Sequence, residues 1–388
     1  MELTEKQQEA LQVATTRYLQ GEPYTCISGY AGVGKTTLIQ FIVQALNLYS
    51  CDVCYVAYTG KAALVLKEKG CENAMTMHRL LYTSFRRSDG TYVHKEKHPL
   101  DYPYKLIVVD EVSMVPKELW DLLLSHKIHV IALGDPGQLP PIGDDNGILA
   151  NPHIFLDEVV RQAQDNEIIK LTMGIREGKA LLPYKGKQVQ IINKEDVIDG
   201  MFLWADQIIC AKNETRRWIN DHMRKLLYNV DSTEPVENDK VICLKNNWDD
   251  YNEIGDVMVN GTIGTLSYIR KEDNPILHPL LRADFLPDGY VPSECPADPC
   301  FRDLNIDYKL LTEGEPTVNN KNYRMFPKQW MPQEFDYGYA VTCWKAQGSE
   351  YNKVLVFEEG FPFDEEEHKK YLYTAATRAK EKLIIVRK

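Results

Sequence analysis

Residues 24 to 45 read YTCISGYAGVGKTTLIQFIVQA, and this stretch constrains the fold more than any other. A short apolar run, a glycine-rich loop and an amphipathic pattern follow one another without a gap, so a strand must end in a loop that turns directly into a helix. GYAGVGKTT, 29 to 37, fits the template GxxxxGK[ST]. Gly29, Gly32 and Gly34 let the backbone curl until its N–H groups and the helix N-terminus surround phosphates. Lys35 would reach the terminal phosphates, and Thr36, with Thr37 beside it, would complete a Mg²⁺ shell. The implied ligands are ATP and Mg²⁺.

The same alternation of apolar runs and helical patterns recurs at DVCYVAY (52 to 58), KLIVVD (105 to 110) and HVIALGD (129 to 135). It resumes at QIICAKN (207 to 213) and returns near the end with KVLVFE and KLIIVRK. Such a pattern predicts parallel sheets wrapped by helices, and 388 residues suffice for two α/β domains with insertions. Two segments break the alternation. Residues 83 to 103 carry Asp89-Gly90 between β-compatible flanks, which predicts a hairpin. Residues 262 to 335 are rich in Pro, Tyr and short strand-like pieces, which predicts a β-rich insertion.

LIVVDE ends an apolar strand in two adjacent acids whose side chains diverge. Asp110 is expected to hold Mg²⁺ through water, and Glu111 to accept the proton of the attacking water. In GDPGQLPPI the neutral Gln138 can contact the γ-phosphate or its attacking water and so sense hydrolysis.

Cys51 and Cys54 form the one CxxC pair, without a second pair or closely spaced histidines to complete a zinc set. They read as small hydrophobes at a strand, and Cys295 and Cys300 sit in a Pro-rich loop. DEEEH at 364 to 368 reads as solvated surface. A net charge of −11 speaks against a grip on nucleic acid by positive field alone. Net charge does not locate charge, and a motor that releases its track each cycle needs only a narrow polar groove. No apolar run approaches a membrane span, and Met1 to Gln12 lacks a secretory pattern. A cytoplasmic protein with reduced cysteines and no membrane partner is expected.

Beyond the loop come, in order, AYTGKAA (57 to 63), TMHRLL (76 to 81), VVDEVSM (108 to 114), GDPGQLPPI (134 to 142), EVVRQ (158 to 162), AVTCWKAQGSE (340 to 350) and YTAATRAKEKLIIV (373 to 386). With LTEKQQEAL at the start, this series resembles the RecD-like and Dda-like DNA helicases, the branch of superfamily 1 that generally moves 5′ to 3′. The likeness spans nearly the whole chain. It implies two RecA-like domains, with motor domain 1A at 1–82 and 104–180 and motor domain 2A at 181–261 and 336–388. It further implies a pin hairpin at 83–103 and an SH3-like insertion at 262–335, announced by NGTIGTL.

By the same resemblance Gln7 reads the adenine edge, and Arg161 and Arg378 approach the γ-phosphate with forked, fixed charges. Either arginine alone would read as a surface ion-pair member, and Thr4 and Gln7 alone as a helix cap. Thr59, Lys61, Thr76 and His78, with Thr342, Trp344, Lys345 and Gln347, match positions that face DNA. Small hydroxyls and amides suit a sequence-blind hold on phosphate. Trp344 stands where relatives carry His, and either stacks on a base or packs between domains; Tyr58 replaces a usual Pro. Phe85 and Tyr92 are the candidate wedge residues of the pin.

The resemblance therefore implies an ATP-dependent helicase on single-stranded DNA and single-strand/duplex junctions, working as a monomer. A motor on RNA or protein-bound DNA would share the backbone contacts. A P-loop switch without translocation would not need Glu111, Gln138, Arg161 and Arg378 together.

Overall fold

The computed structural model describes residues 3–86, 92–98, 103–141, 143–158, 165–253, 257–272, 280–290, 297–317, 331–360 and 364–388. The chain forms two compact units, one of Met1–Thr83, His94–Val197 and Ala346–Lys388, the other of Ser84–Val93 and Ile198–Lys345.

The first unit holds a six-stranded, wholly parallel sheet. Its order is Ala74–Thr76, Val53–Ala57, Leu106–Val109, His129–Gly134, Tyr24–Gly29 and Ile154–Leu156. Apolar runs such as LIVV bury both faces because successive side chains point to opposite sides. Ile107 and Val109 join Cys26, Cys54, Val56, Leu119 and Trp120 on one face. Leu106 and Val108 join Ile27, Leu38, Ile39 and Ile42 on the other. Burial pushes the Cys26 and Cys54 thiols up to about 12, so they pack as inert hydrophobes.

The helix Lys35–Ala45 lays Leu38, Ile39 and Ile42 on that sheet. The helix Glu5–Leu19 opens with a reciprocal cap between Thr4 and Gln7 and buries Ala10 and Ala14. The same unit contains Tyr351–Phe357, Ala379–Arg387 and Val189–Asn193 as parallel neighbours, edged by antiparallel Tyr184–Lys185. The helix Glu365–Ala376 links the first two of these strands. The hairpin expected at 83–103 appears as Tyr82–Arg86 paired with Tyr92–Glu96, strands that carry Phe85 and Tyr92. Its Asp89-Gly90 turn lies outside the described residues.

In the second unit Gln207–Cys210 and Ala340–Thr342 pair in parallel, and the helix Asn213–Tyr228 follows the former. A five-stranded antiparallel sheet runs Phe301–Ile306, Leu280–Pro287, Ile263–Glu272, Lys240–Cys243, Phe335–Tyr337. The β-rich segment expected at 262–335 thus shares its sheet with strands before and after it. Val241, Leu266, Leu281, Phe285 and Phe335 form its core. Arg224, 1% exposed, joins the helix to this sheet, donating to both Asp239 oxygens and lying over the Tyr337 ring. No helix among the described residues is long and apolar enough to cross a membrane.

Candidate nucleotide site

The strand Tyr24–Gly29 ends where a side chain cannot be accommodated, since a Cβ on Gly29 would lie 2.8 Å from the Leu156 carbonyl oxygen. Gly32 and Gly34 then take positive φ values of 79° and 76°, which turn the chain into the helix that starts at Lys35. Lys35 Nζ donates to the Gly29 and Tyr30 carbonyls at 2.6 and 2.9 Å, holding its charge against the loop. Gln7 reaches the same loop, its amide donating to the Val33 carbonyl at 3.0 Å.

Thr36, Thr37 and Asp110 line one groove of about 790 Å³. Burial and the neighbouring Glu111 push the Asp110 carboxyl up to about 6, while Lys35 pulls it back. A desolvated carboxyl beside a threonine hydroxyl and a lysine suits a hard divalent cation bridged to phosphate, so the residues fit Mg²⁺. Glu111 takes the left-handed conformation, φ 52°, and its carboxylate stands 3.9 Å from Arg378 Nη1. Arg378 is 4% exposed and also donates to the Thr374 and Ser349 carbonyls and to Thr377 Oγ1.

The loop after His129–Gly134 is clasped from several sides. Asp135 Oδ1 accepts from the Gly137 amide at 2.9 Å, and Oδ2 accepts from the Tyr373 hydroxyl at 2.6 Å. That hydroxyl in turn accepts from the Ala31 amide of the glycine-rich loop at 2.9 Å. Burial raises the Asp135 carboxyl, with Lys35 and the Tyr373 hydroxyl opposing. The Leu139 amide donates to Thr374 Oγ1 at 2.9 Å, and the Gln347 amide donates to the Leu139 carbonyl at 3.0 Å. Gln138 is buried, and its Oε1 has no hydrogen-bond partner among the described residues.

Lys35, Thr36, Asp110, Glu111, Gln138 and Arg378 are therefore all placed within the first unit, with Gln7 on its loop. Arg161 lies outside the described residues. Tyr373 and Thr374 had no expected role; their signal was membership of the YTAATRA block.

Thr59, Thr76 and His78 gather at one sheet edge, where Val53–Ala57 and Ala74–Thr76 end side by side. Both hydroxyls cap helices, Thr59 Oγ1 accepting from the Ala62 amide and Thr76 Oγ1 from the Arg79 amide, each at 3.2 Å. His78 is exposed, beside Tyr58 and Tyr82. Lys61 Nζ sits 4.6 Å above the Tyr351 ring. A Cβ on Gly348 would meet Ala62 Cβ at 2.8 Å, so the AQGS loop presses on the helix that Thr59 caps. Gln347, expected to face DNA, is 3% exposed and engaged with Leu139. Thr342 closes the strand Ala340–Thr342 of the second unit, followed by half-buried Trp344 and exposed Lys345.

The family model described as AAA domain matches residues 2–201, and that of the UvrD-like helicase C-terminal domain matches 337–386. The ATP-dependent RecD2 DNA helicase of Deinococcus radiodurans is 34% identical over 176 residues, covering 44% of this chain and 24% of its own. The ATP-dependent DNA helicase dda of Enterobacteria phage T4 is 26% identical over 190 residues, covering 46% and 43%. The chain thus spans less than half the length of these curated relatives.

Among solved structures, Pif1 helicase from Bacteroides in complex with ADP-AlF3 and ssDNA aligns at TM-score 0.55 and 17% identity, covering 99% of this chain and 92% of that one. Pif1 helicase from Candida albicans aligns at 0.52 and 18%, covering 100% and 94%. The likeness shows a two-domain, RecA-like α/β fold.

Proposed function

The chain belongs to the AAA domain family, matched over residues 2–201, and from that premise we propose that it is an ATP-driven DNA helicase. It moves 5′ to 3′ on single-stranded DNA and opens duplex at single-strand/duplex junctions. The observation that carries this reading is the meeting of both ends of the motif series within the first unit. The Tyr373 hydroxyl of YTAATRA touches the Ala31 amide and Asp135, and Arg378 of the same block faces Glu111.

In the proposed reaction Lys35 and the loop amides hold the β- and γ-phosphates, and Glu111 takes the proton of the attacking water. Mg²⁺ held by Thr36 and, through water, Asp110 would neutralise charge developing on the phosphate oxygens. Arg378, released from Glu111, would stabilise the transferred phosphoryl group. Arg161 is proposed as its companion. Movement of the Asp135–Leu139 loop, clasped by Tyr373, Thr374 and Gln347, carries the state of the phosphate to the rest of the motor.

Thr59, Lys61, Thr76 and His78 of the first unit, and Thr342, Trp344 and Lys345 of the second, are each assigned to DNA contact; Thr76 and Thr342 are buried, and the Thr59 and Thr76 hydroxyls also cap helices. The paired strands Tyr82–Arg86 and Tyr92–Glu96 serve as the pin, and the antiparallel sheet around 262–335 as an SH3-like guide. The test is ATP hydrolysis with and without nucleic acid. Stimulation by single-stranded DNA well above that by RNA of equal length is expected; equal or greater stimulation by RNA would move the substrate to RNA.

A further inference from the structure

The helix Glu167–Arg176 ends in an arginine that the proposed reaction does not use. Arg176 lays its guanidinium face down on the Tyr30 ring, with Cζ 3.2 Å from the centroid. Tyr30 is itself wedged edge-on against Phe155 and Tyr373, so the platform under the cation is fixed. Stacking engages the face of a guanidinium and leaves its N–H groups directed outward in the plane. Arg176 Nε and Nη1 are both buried, yet neither has a hydrogen-bond partner among the described residues.

Buried charged donors without acceptors are costly, and a folded chain retains them where a ligand supplies the acceptor. The carboxylates of the cleft are committed elsewhere: Asp135 to Tyr373 and Gly137, Glu111 to Arg378. Glu177, next in the chain, pairs with Lys179. Location names the missing acceptor. Lys35 Nζ, the cation of the terminal phosphates, bonds the Tyr30 carbonyl, while Arg176 covers the Tyr30 ring. The two cations thus flank one residue of the glycine-rich loop.

We propose that Arg176 is a further phosphate ligand of this site, one of its unpartnered N–H groups donating to the terminal phosphate of ATP, with Tyr30 as the platform that aims it. This rests on the reading of the cleft as an ATP site. It makes Arg176 a discriminator between nucleoside triphosphate and diphosphate, because only the former carries the group it contacts.

The test is calorimetric titration of the full chain with Mg²⁺ and either ADP or the non-hydrolysable AMP-PNP. Arg176→Gln should weaken AMP-PNP by roughly ten- to a hundredfold, the loss of one charge-assisted contact, and leave ADP within about twofold. Arg176→Lys, which keeps charge but loses the planar group that stacks on Tyr30, should fall between. Equal losses for both nucleotides, with a lowered melting temperature, would overturn the proposal and leave Arg176 as packing for Tyr30. Unchanged affinity for both would overturn it as well. If the wild-type chain bound neither nucleotide, or if Lys35→Ala bound both as tightly as wild type, the ATP-site reading itself would fall.

Discussion

The Tyr373 hydroxyl donates a 2.6 Å hydrogen bond to Asp135 Oδ2 across 238 residues of sequence, and accepts one from the Ala31 amide of the phosphate loop. Burial and the adjoining Asp135 carboxyl raise this hydroxyl far above its usual range, so it stays protonated and donates at any working pH. One oxygen atom therefore ties the loop proposed to hold phosphate to the loop proposed to sense it.

Tyr373→Phe removes that oxygen while keeping the ring against Gly137, whose Cβ position lies 3.0 Å from it. ATP turnover is expected to fall roughly tenfold, the equivalent of one buried hydrogen bond, with KM changed less than kcat. Steady-state kinetics at saturating DNA measure this. Unchanged kcat would mean the bridge is only packing.

Lys35→Ala and Glu111→Gln should separate binding from chemistry. The first removes a phosphate cation and should abolish nucleotide binding; the second removes only the proton acceptor and should bind ATP yet turn over slowly. Rapid hydrolysis by Glu111→Gln would remove Glu111 from its role.

Arg378→Ala should cut DNA-stimulated turnover by roughly 10³-fold while sparing ADP affinity, because a finger acts on charge that develops during transfer. Its side chain is buried and bonded to three neighbours, so a melting curve accompanies the kinetics. Arg378→Lys, which keeps charge and much of the packing, should remain strongly impaired. Full turnover by either variant would make Arg378 a structural ion.

The local parts of this site were legible in sequence because they are local. Glycines at 32 and 34 require the loop whatever surrounds it, and Asp110 and Glu111 sit at the carboxyl end of the sheet because LIVV must be a buried strand; Gly29 is instead demanded by the neighbouring Leu156 carbonyl. Gln347 was not legible: AQGSE matches a DNA-facing block, yet its amide turns inward to the Leu139 carbonyl, a choice made by tertiary packing. Thr59 and Thr76 read as phosphate contacts, while the structure also gives them helix caps, a duty that the TGK and TMH contexts disguise. Arg176 and Tyr30 carry no motif signal for each other; only the folded chain stacks them.

His129 and His153, with the buried and likewise lowered His126, set an acid limit on stability. Burial lowers His129 and His153 below the usual 6.5, and His153 Nδ1 accepts from the Cys26 amide at 2.8 Å, which requires that nitrogen unprotonated. In the unfolded chain both take protons near pH 6.5, while the folded chain resists until the pH is lower. Their contribution is therefore complete above pH 6.5 and is lost as pH falls from 6.5 toward the depressed folded values. The raised Asp110 and Asp135 carboxyls act with the opposite sign. The decisive comparison is thus wild type with His153→Gln: melting temperature should drop more steeply in wild type between pH 7 and 5.5, and parallel curves would remove His153 from the account.

The most direct test of the account is unwinding of a duplex that carries one single-stranded tail, with ATP and Mg²⁺. A 5′ tail should support strand separation, and the same duplex with only a 3′ tail should give little or none. Replacing residues 85 to 93 by a short Gly-Ser turn should abolish separation while DNA-stimulated ATP hydrolysis persists, because moving along a strand and wedging it from its partner are separate tasks. Unwinding from the 3′ tail alone would contradict the direction assigned to this motor. No unwinding from either tail by a chain that hydrolyses ATP on DNA would contradict the helicase reading itself.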